Sequence, residues 1–366
     1  MRIAEIIHEL EKWAHPSLAE DYDNVGLLTG NKQWEVTGVL TTLDCTEDII
    51  EEAIAKKCNL VIAHHPIVFK GLKRFTGGNY VERVIIAALK NDIAIYAFHT
   101  NLDSIKTGVN RMIAEKLGLL TGSLKILAPK ENTLKQITCY VPLENANEVA
   151  EAMHQAGAGH IGNYSHCSFR TQGIGYFKPE KGANPYEGII GIPHANAETA
   201  IEMILPAYAE GKVISAMQAA HPYEEVAYFV NSLDNAWQEA GSGMVGEFET
   251  PVETQVFLEK LKEAFNLKVV KHTEIVKSAI QRVALCGGSG FFLLKNAMAS
   301  KADAYITSDI KYHEFFDADN QLLLADIGHY ESEQYTSELI AKHLSQKFGN
   351  IAVLLSEVNT NPVKYF

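Results

Sequence analysis

The sequence predicts an α/β protein: a discontinuous parallel-sheet domain in two halves, with a ferredoxin-like α+β domain inserted between them. Three observations carry this. Short apolar runs alternate with amphipathic stretches in the first third, the rhythm resumes in the last third, and the middle follows a βαββαβ order instead. In chain order, Ile3, Ile6, Ile7, Leu10 and Trp13 form a helical stripe. Residues 36–43 read as a strand and 46–58 as a helix with Thr46 as N-cap. Residues 60–63 and 93–98 read as buried strands, 80–90 and 108–117 as helices. In the last third, strands are expected at 282–286, 304–307, 322–326 and 351–355. Helices are expected at 291–299 and 331–347, with a helical turn at 312–316. Such alternation predicts a parallel sheet covered on both faces.

In the middle, strands are expected at 136–141, 164–170, 186–192 and 224–230, and helices at 146–155 and 197–209. The flanks, 129–134 and 232–246, are polar and Gly-rich. The expected domains are therefore 1–128 and 241–366 as the two segments of a metal-binding α/β domain, and 129–240 as the insert. At roughly 150 residues per domain, 366 residues suits two or three domains.

Composition excludes several function classes. An apolar share of 47% with 21% charged residues is that of an ordered globular chain. With 32 basic against 45 acidic side chains the formal charge is −13, which disfavours general nucleic-acid binding but not a phosphorylated ligand held by a metal. The longest apolar runs, 84–89 and 93–98, fall far short of the about twenty residues of a membrane span. The first fifteen residues carry charges every few positions and no small-residue cleavage site, unlike a signal peptide. The five cysteines are scattered, with no Cys-x-x-Cys pair. Reduced thiols and a cytoplasmic location are the expectation.

Ligands of parallel sheets gather beyond the carboxyl ends of the strands. Strand 60–63 runs into His64-His65-Pro66, strand 93–98 into His99-Thr100-Asn101-Leu102-Asp103, and strand 322–326 leads to His329-Tyr330-Glu331-Ser332-Glu333. A histidine at one strand end is ordinarily a hydrogen-bonded core or surface residue. An aspartate there ordinarily caps a helix or forms a turn, the reading given to Asp44 and Asp326. Three distant segments converging on one edge favour a metal site. His329 and Glu333, four apart at a helix start, share a face; His99 and Asp103 have the same spacing on a loop. Adjacent His64 and His65 point oppositely in an extended strand, so either the chain bends after Ala63 or they serve different ions.

His64, His65, Asp103, His329 and Glu333 offer only nitrogen and oxygen, which suits Zn, Mn, Fe, Co or Ni in a reactive site. Two such ions about 3.5–4 Å apart share a bridging carboxylate or hydroxide and activate water; Glu333 is the candidate bridge. His99, Glu331 and His313 are candidate supporting or acid/base groups.

Gly241–Gly246 spells GxGxxG but lacks a preceding strand and a following helix, so it is not a dinucleotide fingerprint. Gly287-Gly288-Ser289-Gly290 sits between a strand and a helix, and is either a phosphate cradle or a tight turn. The nearby segment 308–313 lines the same cleft. There is no Gly-x-Ser-x-Gly elbow. His221-Pro222-Tyr223-Glu224-Glu225 reads as a polar site or as a strand-entry turn.

These motifs, with Asp21-Tyr22-Asp23-Asn24-Val25-Gly26-Leu27 and Asn359-Thr360-Asn361-Pro362, resemble the family named for Ngg-interacting factor three over essentially the whole chain. Its bacterial members go by GTP cyclohydrolase 1 type 2 homolog or dinuclear-metal-centre hexameric protein, and its long form carries an insert similar to the PII signalling and CutA proteins. The resemblance implies that His64, His65, Asp103, His329 and Glu333 hold two metals, and that six chains form a toroid with the metals facing its cavity. Asp23 and Asn24 would orient ligands. Tyr22 stands where many members have Trp. Two functions follow. One is a metal-dependent hydrolase of a nucleotide or related phosphorylated compound, GTP first. The other is a metal-binding scaffold or regulator whose insert senses a ligand or partner.

Overall fold

Leu60–Ala63 and Ala94–Ala97 are fully buried strands lying side by side in the computed structural model, which describes residues 1–366. Their sheet has the spatial order Gly26–Thr29, Ala94–Ala97, Leu60–Ala63, Val39–Thr42, Val353–Leu355. All neighbours pair in parallel except Gly26–Thr29, which runs antiparallel to Ala94–Ala97. Helices Glu47–Ala55 and Tyr80–Lys90 lay Ile49, Ile50, Ala53, Val84, Ile85 and Ala88 against it. Asn79 starts the second of these helices, its side chain accepting from Glu82 N at 2.9 Å.

A second sheet orders Lys271–His272, Leu323–Asp326, Ala304–Thr307, Ala279–Leu285, Gly241–Glu253, Lys125–Pro129. Only the two pairings that join Leu323–Asp326, Ala304–Thr307 and Ala279–Leu285 are parallel; the flanking strands run antiparallel. One parallel sheet was the expectation; two mixed sheets are the outcome. The difference lies in strands that sequence reading passed over, chiefly Gly241–Glu253. Its stretch Gly241–Gly246 pairs with both Lys125–Pro129 and Ala279–Leu285 and is no linker. Gly246 is needed there because a Cβ would lie 2.5 Å from Leu124 Cδ2. The expected helix 331–347 is two, His329–Glu333 and Thr336–Lys347.

Residues 1–129 and 238–366 cluster as one unit, 130–237 as another. The second unit's four-stranded sheet orders Phe169–Phe177, His194–Pro206, Leu134–Pro142, Tyr228–Ser232, all antiparallel. Helices Ala146–Gln155 and Glu210–Ala220 supply Val149, Met153, Val213 and Met217 to its core. Residues 197–209, expected as a helix, are mostly strand. Ala, Glu, Met and Leu favour a helix there, but Ile201, Met203 and Leu205 are buried at period two. Pairing on both edges overrides the propensity. No strand forms at 186–192. No helix of the protein is long and apolar enough to cross a membrane, and all five cysteines are free.

Candidate metal centre

The first sheet delivers His64 and His65 from the end of Leu60–Ala63, and His99 from beyond Ala94–Ala97. Asp103 follows on the single turn Thr100–Asp103. The second sheet delivers His329 and Glu333 on the helix after Leu323–Asp326. Three overlapping groups result, each with ligand atoms within 4.8 Å of one another: His64, Asp103, Glu333; His65, His329, Glu333; and His64, His65, His99. The chain bends at His64 and His65, so the two rings do not diverge; their centroids are 5.0 Å apart. Glu333, 3% exposed, turns Oε1 toward His64 Nε2 (3.9 Å) and Oε2 toward His65 Nε2 (3.0 Å) and His329 Nε2 (3.1 Å).

Each imidazole is oriented from behind. His64 Nδ1 donates to Phe98 O at 2.9 Å, His65 Nδ1 to Asp44 Oδ1 at 2.7 Å, His99 Nδ1 to Asp23 Oδ1 at 2.8 Å, and His329 Nδ1 to Asp309 Oδ2 at 2.6 Å. Carbonyl and carboxylate oxygens only accept, so every Nδ1 must carry its proton. The four Nε2 atoms are left for the centre, the arrangement by which proteins present histidine to a metal. Asp44 is itself held by Thr360 Oγ1 at 2.6 Å, and Asp23 by Thr100 N and Oγ1.

The electrostatics call for a cation. His64 Nε2 and Asp103 Oδ1 are buried without a hydrogen-bond partner, 3.6 Å apart. Burial, then the Glu333 charge, pushes the Asp103 carboxyl up to about 7. Burial opposes charge on His65 and His329, but hydrogen bonds to Asp44 and Glu333 lift His65 to about 9, and Asp309 and Glu333 lift His329 to about 11. Burial would raise Glu333, yet the bonds from His329 and His65, with the His64 ring close by, hold it well below the usual carboxylate range. Protons thus stand where metal charge would be. The nitrogen and oxygen donors fit a divalent transition metal. Cys286 beside them stays a thiol, pushed up by burial and by the Asp103 and Glu333 charges.

Other expected residues sit differently. His99 lines an open cavity of about 400 Å³ over the centre, with Tyr22, Phe69 and Phe292. Glu331 is in none of the three ligand groups; it shares a neighbouring cavity with His65 and His329, and its Oε1 accepts from Asn361 Nδ2 at 3.0 Å. His313 does not join the site. It lies exposed on the turn Tyr312–Ala318, its ring edge-on to Tyr312.

Gly287, Gly288 and Ser289 border the same cavity and Gly290 does not, and the amides of Gly287, Gly288 and Gly290 already donate to Asn110 Oδ1, Ser332 Oγ and Thr307 Oγ1. The loop is built as a turn pinned to the site. Asp44, expected as a cap or turn former, supports His65 instead, and Asp309, given no role of its own in the sequence, supports His329. Each lies two residues beyond a strand end, the signal that also fits a cap or turn. Asp326 does form the expected turn, accepting from Gly328 N at 3.0 Å.

Comparison with known proteins fits this architecture. The family described as Duf34/NIF3 (NGG1p interacting factor 3) matches residues 1–362. Proteins named GTP cyclohydrolase 1 type 2 homolog are 37% identical in Halalkalibacterium halodurans, over 98% of each chain, and 37% identical in Bacillus subtilis, over 99% of this chain and 98% of that one. A crystal structure of a Bacillus cereus protein related to NIF3 is similar at TM-score 0.86 and 36% identity, over 100% of this chain and 99% of that one.

Proposed function

The chain belongs to the Duf34/NIF3 family, and from that premise we propose that it is a dinuclear metal protein acting as a metal-dependent hydrolase of a nucleotide or related phosphorylated compound. The observation that carries the reading is Glu333, whose two oxygens face two different ligand groups, beside the unpartnered His64 Nε2 and Asp103 Oδ1. His64, His65, Asp103, His329 and Glu333 would hold the pair, with Glu333 between them. Such a pair, when bound, supplies Lewis acidity and an activated water. Asp44, Asp309 and the Phe98 carbonyl fix the imidazoles in the tautomer the pair requires. His99, its Nδ1 held by Asp23 and its Nε2 toward the cavity, is placed to move a proton at that nitrogen. Tyr22, Phe69 and Phe292 flank the entrance with apolar rings.

The same reading takes residues 129–240 as an inserted ferredoxin-like, PII/CutA-like domain between the metal-binding segments 1–128 and 241–366. The observed βαββαβ order and the two contact-defined units support it. A cytoplasmic homohexamer belongs to this reading too. The ion identity (Zn, Fe, Mn, Co or Ni) is set by supply as much as by these donors.

The test is to count metals in wild type and Glu333→Ala, incubate both with GTP and follow products by mass spectrometry. Wild type alone should give a hydrolysed product. Intact GTP and an unchanged nucleotide panel, with about two metals per wild-type chain, would favour the second reading, a metal-binding scaffold or regulator. One observation favours that alternative: three of the four loop amides expected to cradle phosphate are already engaged.

A further inference from the structure

The motif His221-Pro222-Tyr223-Glu224-Glu225 has no part in the metal centre, yet it builds one wall of a second cavity. His221 fixes the turn: its Nε2 donates to Tyr140 O at 2.9 Å and its Nδ1 accepts from Tyr223 N at 3.0 Å. Tyr223 is thereby set against a hollow of about 430 Å³ lying wholly within the second unit. Five aromatic residues contribute to its walls. Phe177 and Tyr186 stand 6.0 and 6.1 Å from Tyr223, centroid to centroid, and Tyr140 also lines the space.

The charge there is one-sided. Glu198, 8% exposed, reaches the cavity with no basic partner; the hydrogen bond it makes is from Tyr223 Oη, a neutral donor, at 2.9 Å. Asn196 Nδ2 donates to the same phenol at 3.0 Å, so the tyrosine is held in place to serve the carboxylate. Gly175 opposite leaves room for the carboxylate, since a Cβ there would lie 2.3 Å from Glu198 Oε2. The remaining charged lining is Glu180, Glu224 and Glu225 against a single Lys178, which is paired with Glu180. A buried carboxylate without a counter-ion is costly, and rings present a negative face; both terms are relieved by a cation that sheds its water easily. A metal ion fits less well, because the histidine and carboxylate groups able to chelate one lie at the centre described above.

We propose that the second unit binds a small organic cation, an ammonium or guanidinium head on an apolar body, between Phe177, Tyr186 and Tyr223 with Glu198 as counter-ion. The site is independent of the hydrolase reading, and it gives the insert a ligand class of its own. The full-length protein is titrated by calorimetry with choline, benzyltrimethylammonium, putrescine and arginine methyl ester. The uncharged choline isostere 3,3-dimethyl-1-butanol is the control. At least one cation should bind saturably, one per chain, and the control should not. Glu198→Gln keeps an acceptor for Tyr223 while removing the charge, and should weaken that cation by about tenfold or more. The melting temperature and metal content should stay at wild-type values. Tyr223→Phe, with the ring kept, should weaken binding less. No cation binding tighter than about 10 mM, equal binding of the neutral isostere, or an affinity indifferent to Glu198→Gln would each overturn the proposal.

Discussion

His64 Nε2 faces Asp103 Oδ1 at 3.6 Å, and neither atom has a hydrogen-bond partner although both are buried. Because His64 Nδ1 holds its proton against the Phe98 carbonyl, the pair is a lone pair opposite a carboxylate oxygen. A cation between such groups turns a repulsive contact into a favourable one. Four consequences can be measured.

Asp103→Asn should act with opposite signs on two quantities. An amide can donate to His64 Nε2 and no longer repels Glu333. The chelator-treated variant should therefore be more stable than chelator-treated wild type, by about 1 kcal/mol. Metal affinity should fall by about 100-fold or more, beyond the usual cost of losing a supporting group. Thermal melts with and without chelator check the first, and competition against a chromophoric chelator the second. Parallel losses in both would refute the account.

The groups behind the imidazoles should matter for metal retention without touching it. Asp44→Asn removes the anionic acceptor of His65 Nδ1, and about 10- to 100-fold in affinity should go with it. Thr360→Val, one bond further out, should cost less. Equal affinities for all three proteins would show that orientation of His65 is set elsewhere.

The metal-free protein should lose stability as the medium becomes alkaline. His65 and His329, raised to about 9 and about 11, contribute stability that is complete below the ordinary histidine value and is lost as pH rises through those values. Asp103, raised to about 7, works in the same sense at lower pH: its share is lost between the ordinary carboxylate value and about 7, as its ionisation adds an uncompensated charge. The melting temperature of chelated protein should thus fall as pH rises from 6.5 through about 9, where His65 loses its proton. Metal binding near pH 8 must displace the histidine protons, about two per chain. Calorimetry in buffers of different ionisation enthalpy reads that number. No proton release would contradict the charge assignment.

Gly288→Ala should empty the centre from the second sheet's side. Gly288 lies at φ 59°, and a Cβ there would be 2.5 Å from Glu333 Oε1. Glu333 is held by three histidines and cannot yield freely. The left-handed backbone adds about 1 kcal/mol of strain. Metal analysis should show depleted protein whose far-ultraviolet dichroism stays native. Full metal content would place Glu333 differently.

The candidate donors stood out in the sequence because the rule behind them is local. His64, His65, His99 and Glu333 each follow a buried strand, and polar residues at such ends are conspicuous among apolar neighbours. His313 met the same rule and failed, because the turn Tyr312–Ala318 keeps it exposed on the surface. Gly287–Gly290 matched a phosphate loop in spacing, but spacing does not say whether an amide is already spent on Asn110, Ser332 or Thr307.

Chain order, burial of the short apolar runs and the chemical type of the donors were determined by the sequence alone, since each depends on residues close together in the chain. Tertiary structure decided the rest. It made 194–206 a strand, because pairing on two edges outweighed helical propensity. It turned Asp44 from an expected cap or turn residue into the acceptor for His65, and gave Asp309 the same part behind His329. It also brought Glu333 from one sheet to within 3.0 Å of His65 from the other, a contact spanning 268 residues of chain. Contacts of that range are fixed by how two packed sheets meet, and no local pattern encodes them.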